Sequence, residues 1–182
     1  MSVPVPASLP VPVPVLDLAG VERLAAEAHA GQTDKIGVPY VEHVRAVAAG
    51  VAAFGTGLQM AALLHDVLED TPLTAEDLLR AGVPFGVVAT VRRVSRTAGV
   101  AYHAMLQQIV TDHSATLLKI SDNAHNSRAD RAAGLPAADR ERLAERYRAA
   151  RRVLWPAVAP EDVRTVVSTV NPDLLAELDG RA

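Results

Sequence analysis

Between Asp17 and Asp179 the apolar residues recur at the spacing of a helix face, and no segment alternates polar and apolar residues as a half-buried strand must. This regularity excludes a sheet-based core and predicts an all-α chain. Val21, Leu24, Ala25 and Ala28 form the first stripe, with Asp17 as its N-cap and Gly31 as its stop. QTDKIGVPY, with Gly37 and Pro39, reads as a loop feeding a helix over about 41–54. Further helices are predicted over about 58–70, 74–81, 84–95, 102–112 and 115–127. Thr71-Pro72 closes the 58–70 helix, because proline disfavours helical geometry in the residue before it. The charged stretch 137–154 buries Leu143, Tyr147, Ala150 and Leu154, and two short helices near 160–169 and 172–179 complete the series.

With 182 residues, 49% of them hydrophobic, the chain can close one core, and a second full domain would be tight. We therefore expect a helical domain over 16–155, with 156–182 a helical extension of it. Residues 1–15, MSVPVPASLPVPVPV, lack the basic start of a signal peptide, and their prolines forbid a membrane helix, so they read as an extended Pro/Val arm. A net charge of −3 gives no global basic field, so stable nucleic-acid binding is not expected; the chain reads as cytoplasmic, and self-association stays open. The absence of cysteine rules out disulfides, thiolate zinc sites and a cysteine nucleophile, and fits a reducing compartment. Any metal must then be held by His, Asp, Glu or neutral oxygen. No Walker-type or GxGxxG loop is present.

AALLHDVLEDT, residues 61–71, sets one imidazole and three carboxylates inside an apolar run. On a continuous helix, with His65 at zero, Glu69 falls at about 40°, Asp66 at about 100° and Asp70 at about 140°, while Leu63, Leu64, Val67 and Leu68 fill the opposite arc. No cation lies between Gln59 and Arg80 to offset the three carboxylates, and a divalent metal is the most economical compensation. His43, in the first turn of its helix, and Asp122, directly after the apolar run LLKI, complete the order H…HD…D. Two neutral imidazoles and two carboxylates neutralise a divalent ion and leave positions for water and substrate. Taken singly, each residue also has a structural reading, as a hydrogen-bonded core histidine or a turn cap.

Four blocks carry a resemblance: AHAGQTDKIGVPYVEHV (28–44), AALLHDVLEDT (61–71), PFG (84–86) and LLKISDNAHN (117–126). With them the chain resembles the HD-domain metal-dependent phosphohydrolases, and among these the RelA/SpoT-type hydrolase domains and small alarmone hydrolases, over about residues 20–155. The resemblance implies an HD helical bundle whose centre binds one divalent metal, commonly Mn2+, through His43, His65, Asp66 and Asp122. It implies that Glu69 and Asp70 orient or deprotonate the attacking water, and that Lys35 and Asn126 contact the nucleotide. The implied reaction removes pyrophosphate from the 3′ position of guanosine tetra- or pentaphosphate (ppGpp, pppGpp). Tyr102 and Lys119 are further substrate-binding candidates.

Two positions depart from the pattern. Asp34 stands where those hydrolases usually carry an arginine that packs on the base, and Asn123 where many have arginine. Both lower the positive charge expected around an anionic substrate, with Lys35, Lys119, Arg92, Arg93, Arg96 and Arg128 as candidate compensation. Two alternatives therefore stand beside ppGpp hydrolysis: an HD phosphohydrolase for another nucleotide or phosphate ester, and a non-catalytic nucleotide-binding helical module. His125 points about 100° from Asn126 and is not counted as a ligand.

Overall fold

The computed structural model describes residues 14–180, so most of the Pro/Val arm lies outside the described residues. Among those residues every regular element is helical, and one isolated bridge, Thr33 to Pro39, pinches the first long loop. The α-helices are α1 (Leu18–Ala28), α2 (Tyr40–Gly50), α3 (Thr56–Leu63), α4 (Val67–Asp70), α5 (Ala75–Arg80) and α6 (Phe85–Val94). They continue as α7 (Tyr102–Ile109), α8 (His113–Asn126), α9 (Ala129–Ala132), α10 (Ala137–Leu154), α11 (Pro160–Val170) and α12 (Leu175–Asp179).

Local chemistry sets the starts. The Asp17 side chain accepts from Gly20 N at 2.7 Å, which caps α1. Thr74 and Asp77 cap α5 reciprocally. Asp112 accepts from Ala115 N at 2.9 Å, and so α8 begins slightly before the predicted 115.

The core is organised around α8, which is buried on all sides from Ala115 to His125 and packs against α2, α6, α10 and α11. A helix hidden all round exposes no polar face, so its polar side chains must find partners inside. Ser121 donates to Val47 O on α2 at 2.8 Å, and Asn171 donates to Ala124 O at 3.0 Å. Gly50 lets the helices close at this point. A Cβ there would lie 2.3 Å from Ser121 Oγ and 2.3 Å from Val170 Cγ2. The close approach of α2 to α8 brings His43 to Asp122. Val163, Val166, Val167 and Val170 of α11 bury their faces on α8 and α2.

The expected continuous helix over 58–70 is two helices. Regular structure stops at Leu63 and resumes at Val67, with tight bonds from Leu64 N to Ala61 O (3.2 Å) and from Val67 N to Leu64 O (3.0 Å) between them. The imidazole causes the break: His65 Nδ1 lies 2.8 Å from Ala62 O, the carbonyl that a continuing helix would bond to Asp66 N. A side chain has replaced a backbone donor, and the chain turns as it presents His65 and Asp66.

Candidate functional site

α2 delivers His43, the turn between α3 and α4 delivers His65 and Asp66, and α8 delivers Asp122. His43 Nε2 lies 3.4 Å from Asp66 Oδ2 and 3.5 Å from Asp122 Oδ1. His65 Nε2 lies 3.0 Å and 3.8 Å from the same two atoms. These four nitrogen–oxygen separations, 3.0 to 3.8 Å, suit donors about 2 Å from a common centre, and His43, His65 and Asp66 cluster as a group that could hold an ion.

The nitrogens are prepared for a cation. His65 Nε2 is buried and makes no directed hydrogen bond, although its carboxylate neighbour is near. Such an orphaned polar atom is costly, and a metal ion would supply the missing partner. His43 Nδ1 lies 2.7 Å from Nδ1 of His125. Burial, reinforced by His43, Arg131 and Arg128, pushes His125 down to about 3, so it is neutral. In the tautomer where His43 donates from Nδ1 to His125, the His43 Nε2 lone pair is left for the site.

Burial works against a charged His65, yet the carboxylates of Asp66 and Asp122 overcome it and raise the imidazole to about 10. Asp66 and Asp122 are held well below the usual carboxylate range: burial opposes this, but His65 and His43 outweigh it at Asp66, and Lys119 and His65 at Asp122. Without metal, a proton stands in for part of the missing positive charge. Tyr40 donates its hydroxyl to Asp66 Oδ2 at 2.6 Å, and burial together with Asp66 raises the phenol, which therefore stays a donor.

Above this floor opens a cleft of about 340 Å³, the size of a small-molecule site. It is lined by the sequence-predicted Lys35, Asp66, Glu69, Asp70, Tyr102, Lys119, Asp122 and Asn126. Glu69 Oε1 accepts from Arg96 N at 3.0 Å, and burial raises the carboxyl above its ordinary range despite that bond. Asp70 is fixed through its backbone, whose carbonyl accepts from Gln32 Nε2 at 2.8 Å. Lys119 and Asn126 both address Asp122, Lys119 Nζ at 2.6 Å from Oδ2 and Asn126 Nδ2 on Oδ1. Of the remaining candidate cations, Arg96 lines the cleft, whereas Arg93 pairs with Asp112 and Arg128 with Asp130. Asn123 turns away towards α10, where it donates to Tyr147 O and accepts from Arg151.

Sequence reasoning missed Tyr40, Arg131 and Arg146, and set aside as a ligand His125, which contacts His43 instead. Tyr40 and His125 each lie three residues from a predicted ligand, His43 and Asp122, the spacing of adjacent positions on a helix surface. Arg131 and Arg146 line the cleft from α9 and α10, with no local sign of their destination.

No family model matches the chain. The bifunctional (p)ppGpp synthase/hydrolase SpoT of Escherichia coli K12 is 36% identical over 120 residues, 58% of this chain and 17% of that protein. Over that stretch the chain is similar to SpoT. A guanosine-3′,5′-bis(diphosphate) 3′-pyrophosphohydrolase of Haemophilus influenzae is likewise 36% identical over 117 residues, again 58% of this chain and 17% of the other protein. A GTP pyrophosphokinase of Streptomyces coelicolor is 34% identical over 119 residues, 58% of this chain and 14% of that one. The chain thus spans under a fifth of the length of the curated relatives it matches. Among solved structures, a metazoan SpoT orthologue that hydrolyses ppGpp and plays a role in starvation responses superposes with a TM-score of 0.65 at 24% identity, covering 97% of this chain and 99% of that one. The all-helical fold is therefore shared with a SpoT-type protein over nearly the whole length of both chains.

Proposed function

We propose that the chain is a metal-dependent phosphohydrolase that removes pyrophosphate from the 3′ position of ppGpp. The convergence of His43, His65, Asp66 and Asp122 beneath two further carboxylates carries this reading. The names of the Escherichia coli and Haemophilus relatives support the substrate. Those four side chains are the proposed ligands and Mn2+ the proposed ion, which their nitrogen and oxygen donors suit. When bound, a divalent ion supplies Lewis acidity that polarises phosphoryl oxygen and acidifies water.

The chain's own groups do the rest. Glu69, one turn beyond His65, takes the proton of the attacking water, and its raised pKa brings its basicity closer to the working pH. Asp70 orients the same water. Lys35 and Arg96 set positive charge against the phosphates, Tyr102 and Asn126 hold the nucleotide, and Lys119 acts at the boundary between substrate and Asp122. The same reading places the protein in the cytoplasm and treats 156–182 as part of one domain with 16–155.

Incubation of the full chain with MnCl2 and ppGpp should yield GDP and pyrophosphate, resolved by ion-exchange chromatography. Orthophosphate released from another nucleotide, with ppGpp left intact, would move the assignment to a different substrate. No turnover with Mn2+, Fe2+, Co2+ or Zn2+ would leave a nucleotide-binding module.

A further inference from the structure

Asp34 is not the free anion that its position in the sequence suggests. Its side chain is only 4% exposed. Oδ1 accepts from the backbone N–H groups of Ile36 and Val38, each at 3.0 Å, and Oδ2 accepts from Arg131 at 2.8 Å. The carboxylate ties down its own loop, in which Gly37 turns with a φ of +81°, and recruits a guanidinium from α9, 97 residues further along the chain. The pair carries no net charge, so the repulsion expected between position 34 and a polyphosphate is cancelled on the spot.

The remaining question is what the guanidinium does. Asp34 and Arg131 line both the metal cleft and a second recess beside it, whose wall includes Leu135, Leu143, Ala144 and Tyr147. Arg140 and the carboxylate-paired Arg148 and Arg151 belong to the same wall. The bond from Arg131 Nη1 to Asp34 Oδ2 occupies one corner of the guanidinium and leaves its planar faces, and it anchors the group beside the recess before any ligand arrives. A neutralised, anchored plane beside apolar side chains is poorly suited to phosphate and well suited to an aromatic ring. Phosphate has other cations to meet in the cleft, Lys35, Arg96 and Arg146.

We propose that Arg131, anchored by Asp34, is a specificity-determining residue whose guanidinium stacks on the nucleobase of the substrate in this recess. The inference rests on the nucleotide reading of the site given above. The test uses the Mn2+-loaded full chain and two probes that differ by the base alone, GMP and ribose 5-phosphate, titrated by calorimetry. The unmodified protein should prefer GMP by roughly tenfold. Arg131→Ala should erase that preference and leave ribose 5-phosphate binding unchanged, and Arg131→Lys, which keeps the charge without the plane, should restore little of it. Asp34→Asn retains an acceptor for Ile36 and Val38 but loses the ion pair. It should weaken GMP a few-fold alone and add nothing to Arg131→Ala. Equal loss of both probes in Arg131→Ala would make Arg131 a phosphate ligand and overturn the proposal, as would an unchanged preference. GMP selectivity lost in Arg131→Ala, in a protein that leaves ppGpp intact, would support this inference while refuting the hydrolase reading. Turnover of ppGpp by a protein that binds both probes alike would do the reverse.

Discussion

The two ends of the cleft manage charge by opposite means. At the floor, Asp66, Glu69, Asp70 and Asp122 face Lys119 and two imidazoles, and a proton on His65 makes up part of the deficit. At the recess, Asp34 and Arg131 cancel each other, Arg148 pairs with Glu145 and Arg151 with Glu177, and Lys35 and Arg140 add positive charge around them. The first end is incomplete without a cation, whereas the second is complete in itself and offers surface. The nucleotide proposed as substrate would match this difference, with its phosphates between a cation at the floor and basic groups at the rim and its base at the balanced end.

The sharpest way to break this comparison is to remove the carboxylate whose Oδ2 faces both imidazoles and Tyr40. Asp66→Ala should abolish Mn2+ binding measured by calorimetry and lower ppGpp turnover by on the order of a thousandfold or more, with the helical circular dichroism retained. A variant that still binds one Mn2+ per chain would show that the ion sits elsewhere. Next in size, Glu69→Gln should keep the metal and lose about a hundred- to ten-thousandfold in kcat, because a carboxamide cannot accept the proton. Full activity would remove Glu69 from the proton transfer.

Protonation sharpens the comparison at the floor alone. In the metal-free protein His65 is raised from an ordinary value near 6.5 to about 10. A raised base contributes stability that is fully present below about pH 6.5 and is lost as pH rises towards 10. The metal must displace that proton, so its apparent affinity should rise about tenfold per pH unit below 10. The gap in Tm between Mn2+-loaded and metal-free protein should therefore widen steadily from pH 6.5 to 8.5. A constant gap would mean that binding displaces no proton from His65.

The contrast between the two ends also explains what could be read from the chain. The floor was legible because its parts come in local units: His65 and Asp66 are adjacent, Glu69 lies one turn on, His43 sits in the first turn of a helix after a Gly/Pro loop, and Asp122 follows an apolar helical run. The helix break at Leu64 was not, because Ala, Leu and His are all compatible with a helix there and the break depends on one imidazole taking Ala62 O. The recess was illegible for a different reason. Asp34 and Arg131 are 97 residues apart, and neither sits in a pattern that names the other. Asp34 alone reads as a charge hostile to the substrate, and only tertiary structure reveals that it is neutralised.

A smaller effect is expected from the hydroxyl that steadies the floor. Tyr40→Phe leaves the ring against His29 and His43 but frees Asp66 Oδ2 from its 2.6 Å bond. Loss of a hydrogen bond that orients a metal ligand typically costs about ten- to a hundredfold in metal affinity. Calorimetry at fixed pH should register that loss, with kcat at saturating Mn2+ far less affected. Unchanged affinity would mean that the two imidazoles and the fold alone orient Asp66.

The smallest effect is expected at the rim, where it separates the two ends most cleanly. The Arg146 guanidinium sits 4.2 Å from the centroid of the Tyr102 ring, and both residues line the cleft. Arg146→Ala removes one of several partly solvated cations, whose attraction for phosphate is screened by salt. The KM for ppGpp should rise about three- to tenfold at low ionic strength and less at high, as expected for loss of a uniform binding contact. Mn2+ affinity and kcat should stay as they are, because neither depends on a charge at the rim. Steady-state kinetics at two salt concentrations decides the matter. A fall in kcat at constant KM would place Arg146 in the transition state, and the division between a floor that performs the chemistry and a rim that only binds would no longer hold.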